Sequence, residues 1–195
     1  HARCADEGVL VDEAVARDPS LEVEAAVDFA LSSGYALLML DSTGNHGAWP
    51  EELITQPRFE LLSMTITALR QRKKEEVLTL IFSGGVRSGT DAARLIAMGA
   101  SVVVYGVTAA IAMGGEIREG QILWHSDRTI DERAEGLKAI LNANAGEASM
   151  MARCTGKTRL HNLEPEDLRS VTLTTSAITK VPVPGHNVTG HLGQS

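Results

Sequence analysis

The feature that most constrains this chain is the segment from Leu78 to Thr108, which contains two short apolar runs separated by a helix signal. The first run, 78–82, ends at Ser83-Gly84-Gly85, and the second run, 102–105, ends at Gly106. Between them, Thr90-Asp91 has the composition of a helix start. Runs of this length without alternation are typical of strands buried on both faces of a parallel sheet. The segment therefore predicts a strand, a turn, a helix and a second parallel strand.

The turns after these two strands predict a phosphate site. Gly84 and Gly85 lack side chains that would keep a ligand from the backbone, and Arg87 is a bidentate phosphate donor. Backbone N–H groups at such a turn and at helix starts attract anions. A Gly-Gly turn without a ligand is the plainer alternative. The residues predicted to bind a phosphate-bearing cofactor are Ser83, Gly84, Gly85, Arg87, Tyr105, Gly106, Val107 and Thr108, with the phosphate itself at Gly84, Gly85, Arg87, Gly106 and Thr108.

Two adjacent turns without bulky side chains favour a TIM (β/α)₈ barrel, because the last two strands of such barrels hold phosphate in this way. A doubly wound sheet usually carries G-x-G-x-x-G after its first strand, and that fingerprint does not occur here. The composition agrees with an α/β protein, since 44% of the 195 residues are hydrophobic and only 4% are aromatic.

Charge and residue usage exclude several other classes. A formal charge of −7 without a basic stripe argues against nucleic-acid binding, and no apolar run is long enough to cross a membrane. Two cysteines, Cys4 and Cys154, do not make a disulfide framework and fit a reducing cytoplasm. The histidines have no metal-ligand spacing, so we predict no metal site. The expected partner is a small-molecule substrate.

The chain begins at His1 and is shorter than the roughly 250 residues of a complete barrel. Three strands are predicted, at 35–40, 78–82 and 102–105, with helices at 20–32 and 58–71. We therefore expect the C-terminal part of a TIM barrel with a C-terminal helical tail. The rest of the barrel would come from another chain or a missing N-terminal segment. The alternative is a small self-sufficient α/β domain.

This interpretation divides the chain into four regions. The segment from His1 to Pro19 is polar and has no continuous pattern, and it is expected to contain one remnant turn of the barrel. Residues 117–145 are expected to form a polar insertion followed by a packing helix, whose apolar face contains Ala134, Leu137, Ile140 and Leu141. Unpaired strand edges should make the isolated piece aggregate or melt without cooperativity. The predicted regions are an incomplete N-terminal barrel segment with a helix (1–34), barrel strands with the phosphate site (35–115), a C-terminal helical extension (116–184) and a flexible tail (185–195).

A second candidate site is the loop from Asp41 to Pro50, because barrel enzymes place their active sites after the C-terminal ends of strands. Asp41 can accept a hydrogen bond from a ligand hydroxyl, and His46 can act as an acid near neutral pH. We predict Asp41 and His46 as catalytic residues, with Gly44, Asn45 and Gly47 lining the substrate side. A helix-capping loop with an exposed histidine is the alternative.

Three stretches of this sequence resemble the flavin-binding barrel of glutamate synthases and their relatives. The first stretch is the middle segment, which comprises residues 84–91, 95–100 and 105–110. Hydroxy-acid oxidases and IMP dehydrogenases have similar glycine-arginine-glycine turns, so this segment alone does not choose among these families. Residues 44–50 are similar to the Gly-Gly-Thr-Gly-Ala-x-Pro loop of glutamate synthases, although Asn45 and His46 replace a glycine and a threonine. Residues 156–168, followed by 178–182, are similar to the tail of short, single-barrel members.

The resemblance implies FMN bound by its phosphate at the two turns and a redox reaction at the flavin ring. In the family this is the reduction of a 2-iminoglutarate formed from 2-oxoglutarate and ammonia, and an amine-transferring relative acting on an N-alkylated glutamate is a further possibility. An electron-donating or amidotransferase subunit is an expected partner.

Two departures from the family bear on the reaction. The cysteines that hold an iron–sulfur cluster in glutamate synthases do not follow Met113, so we expect no cluster on this chain. The family's catalytic lysine also has no counterpart here. A rival interpretation is therefore a flavin-binding or non-catalytic subunit that completes a barrel with a partner.

Overall fold

A computed structural model of the chain describes residues 2–5, 8–11, 19–42, 58–118, 121–125 and 127–185. Strands and helices alternate through its first half, as α/β proteins require. The strands are β1 (Ala2–Ala5), β2 (Gly8–Val11), β3 (Leu37–Asp41), β4 (Thr79–Ser83), β5 (Val102–Val104), β6 (Gly115–Arg118) and β7 (Gln121–Trp124). The helices are α1 (Pro19–Ser32), α2 (Glu60–Gln71), α3 (Gly89–Ala97), α4 (Val107–Ala112), α5 (Ile130–Cys154) and α6 (Leu173–Thr179), with 3-10 turns at Leu160–Asn162 and Pro165–Asp167.

Five strands form one sheet in the order β1-β2-β3-β4-β5. The first pair is antiparallel, and β2, β3, β4 and β5 run parallel to one another. In this register Asp41 lies opposite Ser83, and Ser83 lies opposite Val104. The carboxyl ends of β3, β4 and β5 therefore meet at one edge of the sheet. The three predicted parallel strands are confirmed, each within two residues of its predicted start.

The prediction for the N-terminal segment is wrong, because β1 and β2 lie where only a remnant turn was expected. Each strand has four residues and includes alanine or glycine, which have low strand propensity. Pairing with the backbone of β3 outweighs that local preference, since β2 forms a parallel ladder with Leu37–Leu40. This extends the parallel part of the sheet to four strands.

The main core lies between the sheet and the helices α1, α2 and α3. Leu38, Leu40, Leu80 and Phe82 are at most 3% exposed, and the strand residues between them are half-buried. One face of β3 and β4 is thus covered by helices, while the other face is covered less, as expected for the inner face of a partial barrel. The helical residues of this core include Val23, Val27, Ala30, Leu61, Leu62 and Leu69.

The C-terminal region differs from its predicted helical character in two ways. The supposed polar insertion contains an antiparallel hairpin, β6 and β7. The packing face of α5 is formed by Asn144, Ala148 and Ala152, whereas Leu141 is 42% exposed and Ala134 is exposed. Small residues are needed on this face because α5 lies directly against α3, where Ala93 and Ala97 join a second cluster with Ala148 and Ala152.

Candidate functional site

The candidate site begins where β3 and β4 end side by side. The backbone N–H and the hydroxyl of Ser42 both donate to the carbonyl oxygen of Ser83, at 3.0 and 2.9 Å. Asp41 and Ser42 are 8% and 0% exposed. These bonds fix the chain at the start of the loop that follows β3 and hold it against the first predicted phosphate turn.

The glycine turn after β4 has the backbone conformation that its sequence predicts. Gly84 and Gly85 have φ angles of +104° and +71°, a region that residues with side chains rarely adopt. Ser88 ends the turn as the N-cap of α3, and its hydroxyl accepts a hydrogen bond from the N–H of Asp91 at 3.2 Å. The turn therefore reverses the chain from β4 into α3 within five residues, 84–88.

The second turn, at Gly106, lies directly against the first. The hydroxyl of Thr108 donates to the carbonyl oxygen of Val86 at 3.2 Å, and the hydroxyl of Tyr105 donates to that of Ser88 at 3.3 Å. The structure thus brings the two predicted turns together across the ends of neighbouring strands. Helix α4 starts at Val107, and N–H groups in the first turn of a helix have no partner within that helix.

The hydroxyl groups of Thr108 and Tyr105 are both engaged in hydrogen bonds within the protein. Thr108 donates its only hydroxyl proton to Val86, so its side chain offers only lone pairs to an anion. Burial raises the pKa of Tyr105 above its usual value, and the negative charges of Glu147 and Asp91 raise it further. Tyr105 consequently stays protonated and keeps its bond to Ser88.

Arg87 lies at the rim of the glycine turn, with its side chain 77% exposed. Its Nε and its backbone N–H both donate to Asp91, at 3.3 and 3.2 Å. Arg94 shares the same carboxylate at 3.7 Å. An exposed pair of this kind contributes little to stability, so the guanidinium can turn toward an incoming anion at small cost.

The start of α3 is occupied by a carboxylate from another helix, which the sequence analysis did not predict. Glu147 of α5 accepts from the N–H of Gly89 at 2.9 Å and from the hydroxyl of Thr90. Hydrogen bonds, first that from Thr90, hold the pKa of Glu147 below its usual value. The only sequence signal for this contact is the general preference of helix starts for anions, which does not identify the partner.

Acidification should release this contact. The pKa of Glu147 is lower in the folded protein than its ordinary value of 4.5. The ionised carboxylate therefore stabilises the fold fully above about pH 4.5, and this stabilisation is lost as the pH falls through the lowered folded-state pKa. Arg94 nearby acts in the same direction by favouring the carboxylate. We expect a Glu147→Gln variant to have a lower free energy of unfolding than the wild type at neutral pH, with the difference shrinking in acid. Urea unfolding at a series of pH values measures this, and a difference independent of pH would contradict it.

The rest of the predicted active-site loop lies outside the described residues. Gly44, Asn45, His46 and Gly47 fall in the interval 43–57, so Asp41 alone among the predicted site residues of this loop has a described position. Within the described part of the chain, no group of three histidine, cysteine or acidic residues is arranged to hold a metal ion. None of the described helices is long and apolar enough to cross a membrane.

Comparisons with known proteins point to the same pair of turns. The family profile of FMN-dependent dehydrogenases matches residues 45–123, which include both turns. A glutamate synthase large subunit-like protein of Rhizobium meliloti (strain 1021) is 29% identical over 80% of this chain. The chain spans 43% of the length of that relative.

Solved structures support the fold. The recombinant flavin-binding domain of baker's yeast flavocytochrome b2 matches 84% of this chain and 35% of its own, with a TM-score of 0.57 and 21% identity. A flavocytochrome b2 variant with benzoylformate matches 80% of this chain and 33% of its own, with a TM-score of 0.55 and 21% identity. The prediction of an α/β chain forming part of a TIM barrel is confirmed.

The profile match and the Rhizobium relative support an FMN-binding barrel family related to glutamate synthase, as the motifs of the chain predicted. The match to the profile of FMN-dependent dehydrogenases confirms the prediction of FMN as the cofactor. The residues present fit the phosphate of FMN, because a glycine turn, the start of α4 and a movable arginine lie together at the carboxyl edge of the sheet. The expectation that this chain carries no iron–sulfur cluster stays a prediction.

Proposed function

We propose that the whole protein is a glutamate synthase-type oxidoreductase that reduces 2-iminoglutarate, formed from 2-oxoglutarate and ammonia or an amine, to glutamate or a related amino acid. The observation that carries the proposal is the hydrogen-bonded pair of turns at the carboxyl edge of β4 and β5. The choice of substrate is supported by the relationship to a glutamate synthase large subunit-like protein and by the motifs in the sequence.

The described residues would act by binding and orienting. The backbone of Gly84 and Gly85 and the start of α4 would receive the phosphate, with Arg87 supplying a positive charge from the rim. The family's cofactor, when bound, supplies the electron transfer. Asp41, buried at the end of β3, would accept a hydrogen bond from a hydroxyl of the cofactor or substrate.

The remainder of the barrel is a proposed partner of β5. In the described sheet β5 is the terminal strand, and Val102 on it is 45% exposed. An unpaired strand edge favours pairing with a further strand, from this protein or from another chain. We propose that the barrel is completed there, and that electrons reach the flavin from a separate subunit or domain.

Anaerobic reoxidation of the chemically reduced full-length flavoprotein tests the reaction. We expect 2-oxoglutarate with ammonium to restore the absorbance of oxidised flavin while glutamate accumulates, whereas 2-oxoglutarate alone restores little. Each glutamate formed should account for one two-electron reoxidation. Reoxidation by pyruvate alone would instead indicate 2-hydroxy-acid chemistry and overturn the proposed substrate. A reduced flavin that reacts with neither would favour the non-catalytic subunit.

Replacing Arg87 with alanine should weaken binding of FMN but not of riboflavin. Loss of one charged hydrogen bond costs about 1.5–3 kcal/mol, which corresponds to a roughly 10- to 150-fold increase in Kd. Arg94→Ala is the matched control, because Arg94 shares the carboxylate of Asp91 but lies further along α3. Fluorescence titration with both flavins measures the effect. Equal affinity of the wild type for riboflavin and FMN would overturn the phosphate assignment.

A further inference from the structure

A cavity of about 350 Å³ lies between α3 and the C-terminal segment 168–181, which has no part in the proposed chemistry. The backbone N–H of Ser170 donates to the carbonyl oxygen of Pro182 at 2.9 Å, and this bond joins the two ends of the segment. Small-molecule sites in proteins measure roughly 300–1,000 Å³, so the cavity has room for a small ligand.

The wall of this cavity carries an excess of positive charge. Among the described residues that line it, three are arginines, Arg87, Arg94 and Arg169, and Asp91 is the one carboxylate. Asp91 already lies 3.3 Å from the Nε of Arg87 and 3.7 Å from the Nη1 of Arg94. Because one carboxylate cannot balance three guanidinium groups, the cavity attracts an anion.

Arg169 contributes the charge that lies farthest from balance. Its Nη1 donates to the backbone carbonyl oxygens of Glu166 and Leu168, at 2.7 and 2.6 Å. Within the described part of the chain it forms no ion pair with a carboxylate. The two carbonyl bonds anchor the guanidinium, and its remaining N–H groups suit a carboxylate or phosphate, which can accept two parallel bonds.

Ser170 indicates independently that the cavity takes a polar group. Ser170 lines the cavity and is 4% exposed, and within the described residues its hydroxyl has no hydrogen-bond partner. A buried hydroxyl without a partner is unfavourable and rare in folded proteins. The lining hydroxyls of Thr175 and Thr179, by contrast, take part in local hydrogen bonds. An oxygen of a bound ligand would satisfy Ser170.

Much of the remaining wall is apolar. Leu95 on α3 and Val181 on the C-terminal segment are buried, and Phe59 and Met98 are half-buried. An inorganic anion would leave these side chains without a partner. A small organic anion would cover them with its hydrocarbon part, which is favourable, and would still reach the arginines.

We propose that this cavity binds a small organic anion, whose carboxylate or phosphate is held by Arg94, Arg169 and Ser170 and whose hydrocarbon part lies against Leu95 and Val181. Arg87 borders both this cavity and the glycine turn. The cavity is a second ligand site, formed with the C-terminal segment, and it does not depend on the proposed phosphate turn.

Calorimetric titration of the FMN-loaded, full-length protein tests the site. The probes are hexyl phosphate, hexanoate, inorganic phosphate and hexanol, which separate the charged group from the hydrocarbon part. Bound FMN occupies the flavin site, so the measured heat reports on binding elsewhere. We expect hexyl phosphate or hexanoate to bind at least about tenfold more tightly than inorganic phosphate and hexanol, and the tighter of the two identifies the charged group.

Arg94→Gln and Arg169→Gln should each raise the Kd of that anion about tenfold and leave FMN affinity unchanged. Arg153→Gln is the matched control, because Arg153 is exposed at the end of α5 and does not line the cavity. Ser170→Ala should raise the Kd about two- to tenfold without lowering the free energy of unfolding, since it removes a hydroxyl that is unpaired in the free protein.

Binding of none of the four probes, or equal binding by the wild type and both arginine variants, would overturn the second site and leave the proposed function standing. Inorganic phosphate binding as tightly as hexyl phosphate would overturn the organic ligand. A loss of FMN affinity in Arg94→Gln and Arg169→Gln would show that the cavity is part of the flavin site. If Arg169→Gln does not fold, Arg94→Gln and Ser170→Ala carry the comparison.

Discussion

Replacing Gly89 with alanine is expected to lower the free energy of unfolding by about 1–3 kcal/mol or more, because the new methyl group has no space. Its Cβ would lie 2.1 Å from the oxygen of Asn144 and 2.7 Å from the nitrogen of Ala148 and from the Cβ of Glu147. None of these atoms can move away by a side-chain rotation. Helix α5 must shift, and the bond from Gly89 to Glu147 is then lost. FMN affinity should fall together with stability.

Gly146→Ala provides the matched control, since Gly146 lies on α5 next to the same contact but has open space around its Cβ position. Alanine is favoured over glycine inside a helix, so this variant should be more stable by about 0.5–1 kcal/mol. Urea denaturation of both variants measures the two effects, which have opposite signs. A Gly89→Ala protein as stable as the wild type would show that α5 does not lie this close to α3.

The parts of the fold that were predictable are those in which local sequence and tertiary environment agree. Strands β4 and β5 are apolar runs ended by glycine, and both positive φ angles of the first turn fall on Gly84 and Gly85. The start of α3 was predicted at Thr90-Asp91 and lies at Gly89, one residue earlier, with Ser88 as the N-cap.

The parts that were missed depend on contacts distant in sequence. Strands β1 and β2 have short, weakly strand-forming sequences, and pairing with β3 determines their conformation. On α5 the predicted apolar face is only partly covered, since Leu137 and Ile140 are half-buried and Leu141 is 42% exposed. The fully buried residues are Asn144, Ala148 and Ala152, because this part of α5 lies against α3. Side-chain size was therefore a misleading guide where backbones approach closely.

The sequence predicted where the two turns of the candidate site lie, but it did not predict which groups their hydrogen-bond donors contact. Thr108 was expected to bind phosphate, yet its hydroxyl proton is used within the protein. Arg87 was expected to donate to a phosphate, and its Nε donates to Asp91 at the rim of the turn. A sequence shows which groups can donate, whereas the folded chain decides which donors are already taken. Glu147 illustrates this, since 57 residues separate it from Thr90.

The loop after β3 is the other half of the proposed active site, and its starting point is fixed. Ser42 is bonded twice to Ser83, which immediately precedes the glycine turn. The chain therefore enters the loop beside the proposed phosphate site, at the carboxyl edge where barrel enzymes carry their chemistry. His46 is four residues beyond Ser42. A fully extended chain spans about 3.3–3.6 Å per residue, so His46 can reach a substrate near this edge.

We expect His46→Ala to lower turnover by about 10²–10⁴, the usual contribution of a general acid, while flavin content stays nearly unchanged. Histidine is a common general acid, because imidazole as a residue type exchanges protons near neutral pH. His161→Ala is the control, because His161 is exposed in a 3-10 turn of the C-terminal region.

Replacing Gly47 with a bulky residue should instead weaken flavin or substrate binding by filling the approach to the ring. Steady-state kinetics with flavin quantification separates these effects: unchanged turnover in His46→Ala removes the histidine from the mechanism, and unchanged binding in the Gly47 variant places the loop away from the ligand.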